Sequence, residues 1–359
     1  MGIGLGNKTG NAAAEYLRKR DKNAPLRVGL TYDLREDYGI EKDSMIYADF
    51  CHPDEIGYME AAIRRNGYEV VPIGNMYKLE NRIRTNTLDC DIVLVCDEGL
   101  GSRNREAIVP ALLELHGIPF VGSDAYCMGL SQNKYHTKLV AQALGIRCPV
   151  GIYLEYEDGM ELDESAVKAA LKEKELTYPL VVKPNEEGYS MGVFLVRQDE
   201  ELFHAIRSDF ENYREPVLVE EFIPGRELYV PIIGTGKDAY ALTVGAVVDE
   251  DGKDVEIYCV EDKCYDWSHY EAAVVAEDVK QRMIEESLKI YRHMDCRDFG
   301  RSDYRLTPEG EPIMIEITPR PGLTEEGPYE SCAKSVGKTY DDILKEIIDS
   351  AARRYGLLS

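Results

Sequence analysis

Long apolar runs are missing from this 359-residue chain: none approaches the roughly 20 residues that a membrane-spanning helix needs. The first residues lack the basic-then-apolar layout of a secretory signal. The Met-Gly start also lacks the serine or threonine that N-myristoylation favours, with Gly6 in that place. Positive charge is scarce. Lysine and arginine number 42 against 66 aspartates and glutamates, a net charge of −24. Such a field repels phosphate backbones and anionic lipid, so neither nucleic acid nor a membrane is an expected partner. CxxC pairs are absent, and nine cysteines lie scattered from Cys51 to Cys332. The odd number argues against a complete disulfide framework and fits a reducing, cytoplasmic setting. With cations so few, a phosphate-bearing ligand has to be met by individual lysines and arginines.

What remains is an ordinary globular composition, 44% hydrophobic and 30% charged, long enough for two or three domains. The stretch 299–322, FGRSDYRLTPEGEPIMIEITPRPG, reads as a β-hairpin around the turn cluster at 307–310. Alternation places Tyr304, Leu306, Ile313, Ile315 and Ile317 on one, apolar face. Arg301, Asp303, Arg305, Met314, Glu316 and Thr318 share the other. A four-residue turn would set Arg301 opposite Glu316, with Asp303 diagonal to Glu316. Two carboxylates beside an arginine suit a divalent cation next to an anionic substrate. A charged face kept wet for solubility explains the same pattern.

The chain divides into four stretches: an extension (1–24), an α/β unit (25–131), a central unit (132–232) and a C-terminal unit with a lid and the hairpin (233–359). GIGLGNKT at 2–9 approaches a P-loop, but Asn7 replaces the glycine before the lysine and no strand precedes it. From residue 26 strands alternate with helices, which predicts a parallel sheet. Strands are expected at 27–32, 68–73, 91–96 and 118–121, with helices at 54–66, capped by Asp54, and 105–116. Asp33, Arg35, Glu36 and Glu98 lie in loops at strand C-terminal ends, where ligands commonly bind, though solvated loop charge accounts for each equally well. In the central unit a helix is expected at 133–144, and YPLVVKP (178–184) reads as a strand delivering Lys183 to a Gly/Ser loop at 185–192. Backbone N–H groups of such a loop can meet phosphate oxygens without a helix. Residues 239–248 read as one strand, 251–269 as a lid, 319–331 as a loop and 340–355 as a final helix.

Four blocks stand in order along the chain: SQNK at 131–134; VKP at 182–184 with EGYSMGV at 187–193; VEEFIPGRE at 219–227; and GRSD at 300–303 with EITPRPG at 316–322. With these four the chain resembles the ATP-grasp superfamily, in its D-alanine–D-alanine ligase branch, from about residue 26 onward. The resemblance implies a three-domain α/β (α+β) fold, with two α+β units sandwiching ATP behind an N-terminal parallel-sheet unit. It implies ATP-dependent joining of a carboxylate to an amine through an acyl phosphate, with ADP and phosphate released. Lys134 and Lys183 would then contact the ATP phosphates and adenine edge, and the loop carrying Glu187, Gly188 and Ser190 would cover the phosphates. Glu220, Glu221, Phe222 and Ile223 would line the adenine pocket, and Glu227 would take the ribose. Asp303, Glu316 and Thr318 would hold Mg²⁺, two ions in all, with Mn²⁺ as a substitute. Arg301 would stabilise the oxyanion and Lys263, in the lid, would reach the transferred phosphate. Tyr189, Arg301, Gly322 and Gly327 fall at substrate positions. Small-molecule carboxylate and amine substrates, and a homodimer, complete the implied picture.

The departures fall on the amino-acid half. Tyr189 replaces the first of two loop serines, Cys264 replaces a tyrosine after the lid lysine, and Thr318 replaces the asparagine ligand. Gly327 replaces a substrate-binding serine, and TYDLR at 31–35 stands where a Gly-Gly-x-Ser…Glu block is usual. A ligase with altered substrate positions is the expectation. A true D-alanine–D-alanine ligase, a ligase with a hydroxyl or thiol acceptor, and an ATP-binding regulator without turnover are the alternatives. Tyr189 and Tyr258 are candidates for an aromatic acceptor pocket.

Overall fold

The computed structural model describes residues 24–41, 47–260 and 267–358. The N-terminal extension and the lid residues Lys263 and Cys264 lie outside them. Three sheets account for the strands among the described residues. The first is parallel, in the order β2–β1–β3–β4: β1 (Arg27–Thr31), β2 (Glu69–Gly74), β3 (Ile92–Val95) and β4 (Phe120–Val121). All four residues of β3 are buried, as a strand covered on both faces requires. Around it lie α1 (Pro53–Arg65), α2 (Met76–Arg84) and α3 (Arg105–His116). His52, not Asp54, caps α1. Pro53 takes the first turn, where its missing N–H costs nothing, and Glu55 returns to the His52 amide. The chain then passes through α4 (Ala125–Gln132) and α5 (Lys134–Ala143).

The central sheet is antiparallel, β5–β8–β6–β7: β5 (Gly151–Leu154), β6 (Leu180–Pro184), β7 (Phe194–Val196) and β8 (Val217–Glu221). It packs on α6 (Glu164–Glu173) and α7 (Asp199–Tyr213). β6 starts at Leu180, after a cis Tyr178–Pro179 bond, two residues later than the pattern suggested.

The third sheet runs β12–β11–β9–β13–β14, with β10 pairing β9: β9 (Arg226–Ile233), β10 (Tyr240–Ala241), β11 (Gly245–Asp249), β12 (Ser268–Ala272), β13 (Phe299–Leu306) and β14 (Pro312–Thr318). The single strand expected at 239–248 is therefore two. At Gly245 a Cβ would sit 2.1 Å from the Tyr229 ring, so β11 begins where a glycine lets that ring pass. One side of the sheet is covered by α8 (Glu277–His293). The chain closes with α9 (Pro328–Ser335), which begins within the last residues of the expected loop and runs past it, and α10 (Tyr340–Arg354).

The hairpin exists, but its register differs from the expectation. Asp303 stands directly opposite Glu316 and Arg301 opposite Thr318, because Leu306 pairs with Pro312, one residue later than a four-residue turn sets, and a bulge after Asp303 adds Ile315 as a further extra residue. Each one-residue shift exchanges the faces beyond it. Met314 joins Tyr304, Leu306 and Ile317 in the core, while Ile315 turns to the cavity.

α10 packs Ile343, Leu344, Ile347 and Ile348 into one apolar cluster with Val28, Leu30, Ile92 and Leu94 of the first sheet. The buried Asp298 seals this junction. Its carboxylate accepts hydrogen bonds from the Gly122 amide (2.9 Å), Arg354 (2.5 Å), Thr235 (3.0 Å) and Ser350 (2.8 Å).

Candidate active site

Between the central and third sheets lies a cleft of about 1060 Å³, open solvent included. Most of the expected site residues meet on its walls.

At one end β8 delivers Glu220, which is 3% exposed. Lys138 approaches one of its oxygens at 2.8 Å and Lys183 the other at 2.7 Å. Burial pushes the Glu220 carboxyl up, but the two ammonium groups outweigh it and hold the carboxyl below its usual value. Lys138 was not expected. Its signal is spacing, one helical turn after Lys134 on α5. Beyond Glu220 the chain turns through Phe222 to Gly225, whose φ is +123° and whose Cβ position would lie 2.0 Å from the Leu306 carbonyl oxygen. Only glycine fits there. Arg305, from β13, donates to the Ile223 (3.0 Å) and Gly225 (2.6 Å) carbonyls and pairs with Glu227 (2.7 Å). It thereby fixes the turn that carries Phe222 and the carboxylate expected at a ribose.

The loop after β6 is stapled at its base. Asn185 accepts the Lys134 and Tyr135 amides at 3.1 and 3.0 Å, the Glu186 amide donates to Glu215 at 2.6 Å, and Lys134 Nζ donates to the Glu187 carbonyl. Tyr189 and Ser190 follow with φ of 55° and 61°. Consecutive left-handed residues without glycine store backbone strain of the kind found at ligand clamps. At Gly192 a Cβ would meet Pro184, Asp209 and Tyr213 within 2.6–2.7 Å.

Arg301, Asp303 and Glu316 project into the middle of the cleft. Arg301 holds Asp303 by both oxygens, Nε at 2.7 Å and Nη2 at 2.9 Å. Two carboxylates directly opposite on adjacent strands are hard oxygen donors, a set that fits Mg²⁺. The charge balance points the same way. Among the described residues the lining holds Lys134, Lys183, Arg301 and Arg305 against Glu187, Glu220, Glu221, Glu227, Asp303 and Glu316. A polyphosphate entering this net-negative wall needs cations to accompany it.

The far end is aromatic. Tyr189, Tyr229, Tyr258 and Tyr270 line it with Val247 and Ile257. The Tyr258 and Tyr270 hydroxyls are 2.8 Å apart, and Tyr229 meets Tyr270 edge-on at 5.5 Å. Tyr229 and Tyr270 were not anticipated. Both lie on strands bordering the hairpin sheet's inner face, at positions that a pairing register would have exposed.

Thr318, Gly322 and Gly327 do not line the cleft. Gly327 caps α9, and a Cβ there would come within 2.5 Å of Thr324 Oγ1, so the local packing suits glycine. Of the N-terminal candidates, Asp33 is fully buried and organises its own neighbourhood, accepting the Glu98 and Gly99 amides (2.9 and 2.8 Å) and the Tyr38 hydroxyl. Glu98 pairs with Arg320 (2.5 Å), and Arg35 donates to the Tyr47 carbonyl (3.2 Å). Glu36 lies in the short 3-10 turn Arg35–Tyr38.

A model of the family described as "D-ala D-ala ligase C-terminus" matches residues 140–349, more than half the chain. The chain belongs to the D-alanine–D-alanine ligase family. A D-alanine–D-alanine ligase of Desulforudis audaxviator is 30% identical over 296 residues, 82% of this chain and 91% of that protein. An uncharacterized protein of Sinorhizobium fredii is also 30% identical, over 72% of this chain and 74% of its own length. The structure of Bacillus anthracis D-alanine–D-alanine ligase superimposes with a TM-score of 0.71 at 25% identity, covering 92% of this chain and 99% of that one. The D-Ala:D-Ser ligase of Enterococcus faecalis shares the fold, with a TM-score of 0.69 at 21% identity over 91% of this chain and 99% of that chain. Membership makes this family protein an ATP-dependent ligase that forms carbon–nitrogen bonds. No helix among the described residues is long and apolar enough to cross a membrane.

Proposed function

We propose that this ligase joins the carboxylate of one amino acid to the amine of a second substrate, and that the pair is not two D-alanines. The carrying observation is that Arg301, Asp303 and Glu316 share one cleft with Lys183 and Ser190, while the surface beyond Arg301 is tyrosine-lined. The carboxylate attacks the γ-phosphate of ATP, ADP leaves, and the amine then displaces phosphate from the acyl phosphate. Lys134, Lys183 and the Glu187–Ser190 loop hold the phosphates; Glu220 to Ile223 and Glu227 receive adenosine. Mg²⁺ would be held by Asp303 and Glu316 and supplies charge neutralisation on the phosphates. Thr318, on the same strand, is the third candidate ligand. Thr318→Asn keeps or lowers the Mg²⁺ requirement if that position faces metal, and a collapse of activity rejects the assignment. Arg301 meets the oxyanion as the amine adds. Lys263 enters through the family resemblance alone.

The test is Mg·ATP-dependent ADP release across a panel of D- and L-amino acids and amines, with mass spectrometry of the product. Mass also separates an amide from an ester or thioester. Release with D-alanine alone, giving the dipeptide, favours a second reading as a true D-alanine–D-alanine ligase, which the name of the Desulforudis audaxviator relative supports. ATP binding without turnover on any substrate favours a regulatory protein. A homodimer and a cytoplasmic setting accompany the proposal, and sedimentation of the purified chain checks the former.

A further inference from the structure

Outside the cleft, two neighbouring residues of α3 reach both halves of the ATP site. Arg105, first residue of α3, is 5% exposed. Its Nη2 lies 3.2 Å from Asp49 within the N-terminal unit and 3.2 Å from Glu187 in the loop after β6. The next residue, Glu106, lies 3.2 Å from Arg320, four residues beyond Glu316 at the end of the hairpin. Glu98 completes that contact with both oxygens on Arg320, at 3.0 and 2.5 Å. Gln132 of α4 donates to Glu106 at 3.3 Å.

The placement of Arg105 is unfavourable by itself. A cation at a helix N-terminus opposes the macrodipole, and a buried guanidinium needs carboxylates around it. Buried ion pairs contribute little to stability compared with apolar packing of the same volume, so stability alone explains them poorly. Their location is more informative. Glu187 lines the cleft, and its carbonyl also takes the Lys134 amine. Arg105 therefore sets where one wall of the cleft stands and neutralises a carboxylate that would face incoming phosphates. Arg320 lies two residues past the end of the strand that carries Glu316. One turn of a helix in the N-terminal unit thus meets the phosphate loop with one residue and the segment leaving the acidic hairpin with the next.

We propose that Arg105 and Glu106 are positioning residues that set the spacing of the phosphate loop and the Asp303–Glu316 hairpin, so that the N-terminal unit tunes nucleotide use. The proposal rests on reading the cleft as the ATP site. It predicts a division of labour. Arg105→Gln takes the ion-pair partner from Asp49 and Glu187 and raises the KM for ATP by about tenfold or more, the usual scale for losing a supporting contact, with a smaller change in kcat. Adding Glu187→Gln removes the stranded charge from the phosphate loop and recovers most of that loss. Glu106→Gln lowers kcat and leaves the KM for ATP near its original value.

Steady-state kinetics with varied ATP, together with equilibrium binding of ATP to the folded protein, test this. If Arg105→Gln does not fold, Arg105→Lys carries the test. It keeps the charge, loses the reach across two carboxylates, and is expected to raise the KM for ATP less than Arg105→Gln. An Arg105 variant with lowered Tm but unchanged ATP affinity overturns the proposal, as does a double variant no better than the single one. Absence of saturable ATP binding in the unsubstituted protein overturns the site reading itself, and is distinguishable because every variant is then equally silent.

Discussion

At the nucleotide end of the cleft, charge is held by charge: Glu220 between Lys138 and Lys183, and Glu227 on Arg305. At the other end Tyr189, Tyr229, Tyr258 and Tyr270 line the cleft with Val247 and Ile257. Fixed ion pairs suit a ligand with a constant, highly charged shape, and they cost no reorganisation when it arrives. An aromatic chamber with hydroxyl groups suits a ligand with an apolar body and a few polar atoms. The ends can therefore diverge independently, and substitutions at each should affect different kinetic constants.

Arg301 stands at the border and should give the largest effect. Arg301→Gln is expected to lower kcat by about 10²–10³, the scale for removing one oxyanion donor, with ATP affinity nearly intact. Measuring both constants decides it. An equal loss of ATP affinity would mean that Arg301 belongs to the nucleotide end. Lys138→Met comes next. It leaves Glu220 paired to Lys183 alone, which halves the positive charge around that carboxylate. The KM for ATP should rise roughly tenfold, as for other lost supporting contacts, while the KM for the amino acid stays fixed. An unchanged KM for ATP would reduce Lys138 to a packing residue.

Much of the nucleotide end is legible in the residues because its chemistry sits where local rules act. Lys183 ends a strand, a glycine loop follows, and the hairpin alternates charge with apolar side chains. The bulge after Asp303 was not legible, since no glycine or proline marks it and an unbroken alternation satisfies Ile313–Ile317 equally well. It decides the metal pair nonetheless, bringing Asp303 opposite Glu316. Contacts between distant segments, such as Arg105 with Glu187 or Arg320 with Glu98, have no sequence signature, because periodicity reports a face and not its partner. The tyrosine chamber was half visible. Tyr258 was a candidate, but Tyr270 needed the pairing of β12 with β11 to reach the same wall.

Behind the phosphate loop the pairing principle fails at one residue. Asp209 is fully buried under Gly192, and neither carboxylate oxygen has a hydrogen-bond partner among the described residues. Burial pushes its carboxyl up to about 8, with Glu215 adding to the rise. The folded state then binds a proton that the unfolded chain releases near pH 4. Stability contributed by this group is full below that value and falls as pH rises toward 8, by up to about 1.4 kcal/mol per pH unit. Asp209→Asn should flatten that part of the slope in urea unfolding between pH 5 and 8. Parallel slopes for the two proteins would show that Asp209 ionises freely and that the nucleotide end is paired throughout.

The smallest effect is expected deepest in the aromatic end. Tyr270→Phe keeps the ring that Tyr229 meets edge-on and removes only the hydroxyl 2.8 Å from Tyr258. A net hydrogen bond is worth about 1 kcal/mol, so the KM for the amino-acid substrate should rise about fivefold at most. Tyr258 then has its hydroxyl turned toward a phenyl edge, and Arg301 and Asp303 keep their bidentate pair. The KM for ATP should not move. Because the ring remains, a change in the KM for ATP equal to that for the amino acid cannot be assigned to lost packing. It would mean that the hydroxyl pair reaches the nucleotide end through Arg301, and that the two ends do not vary independently.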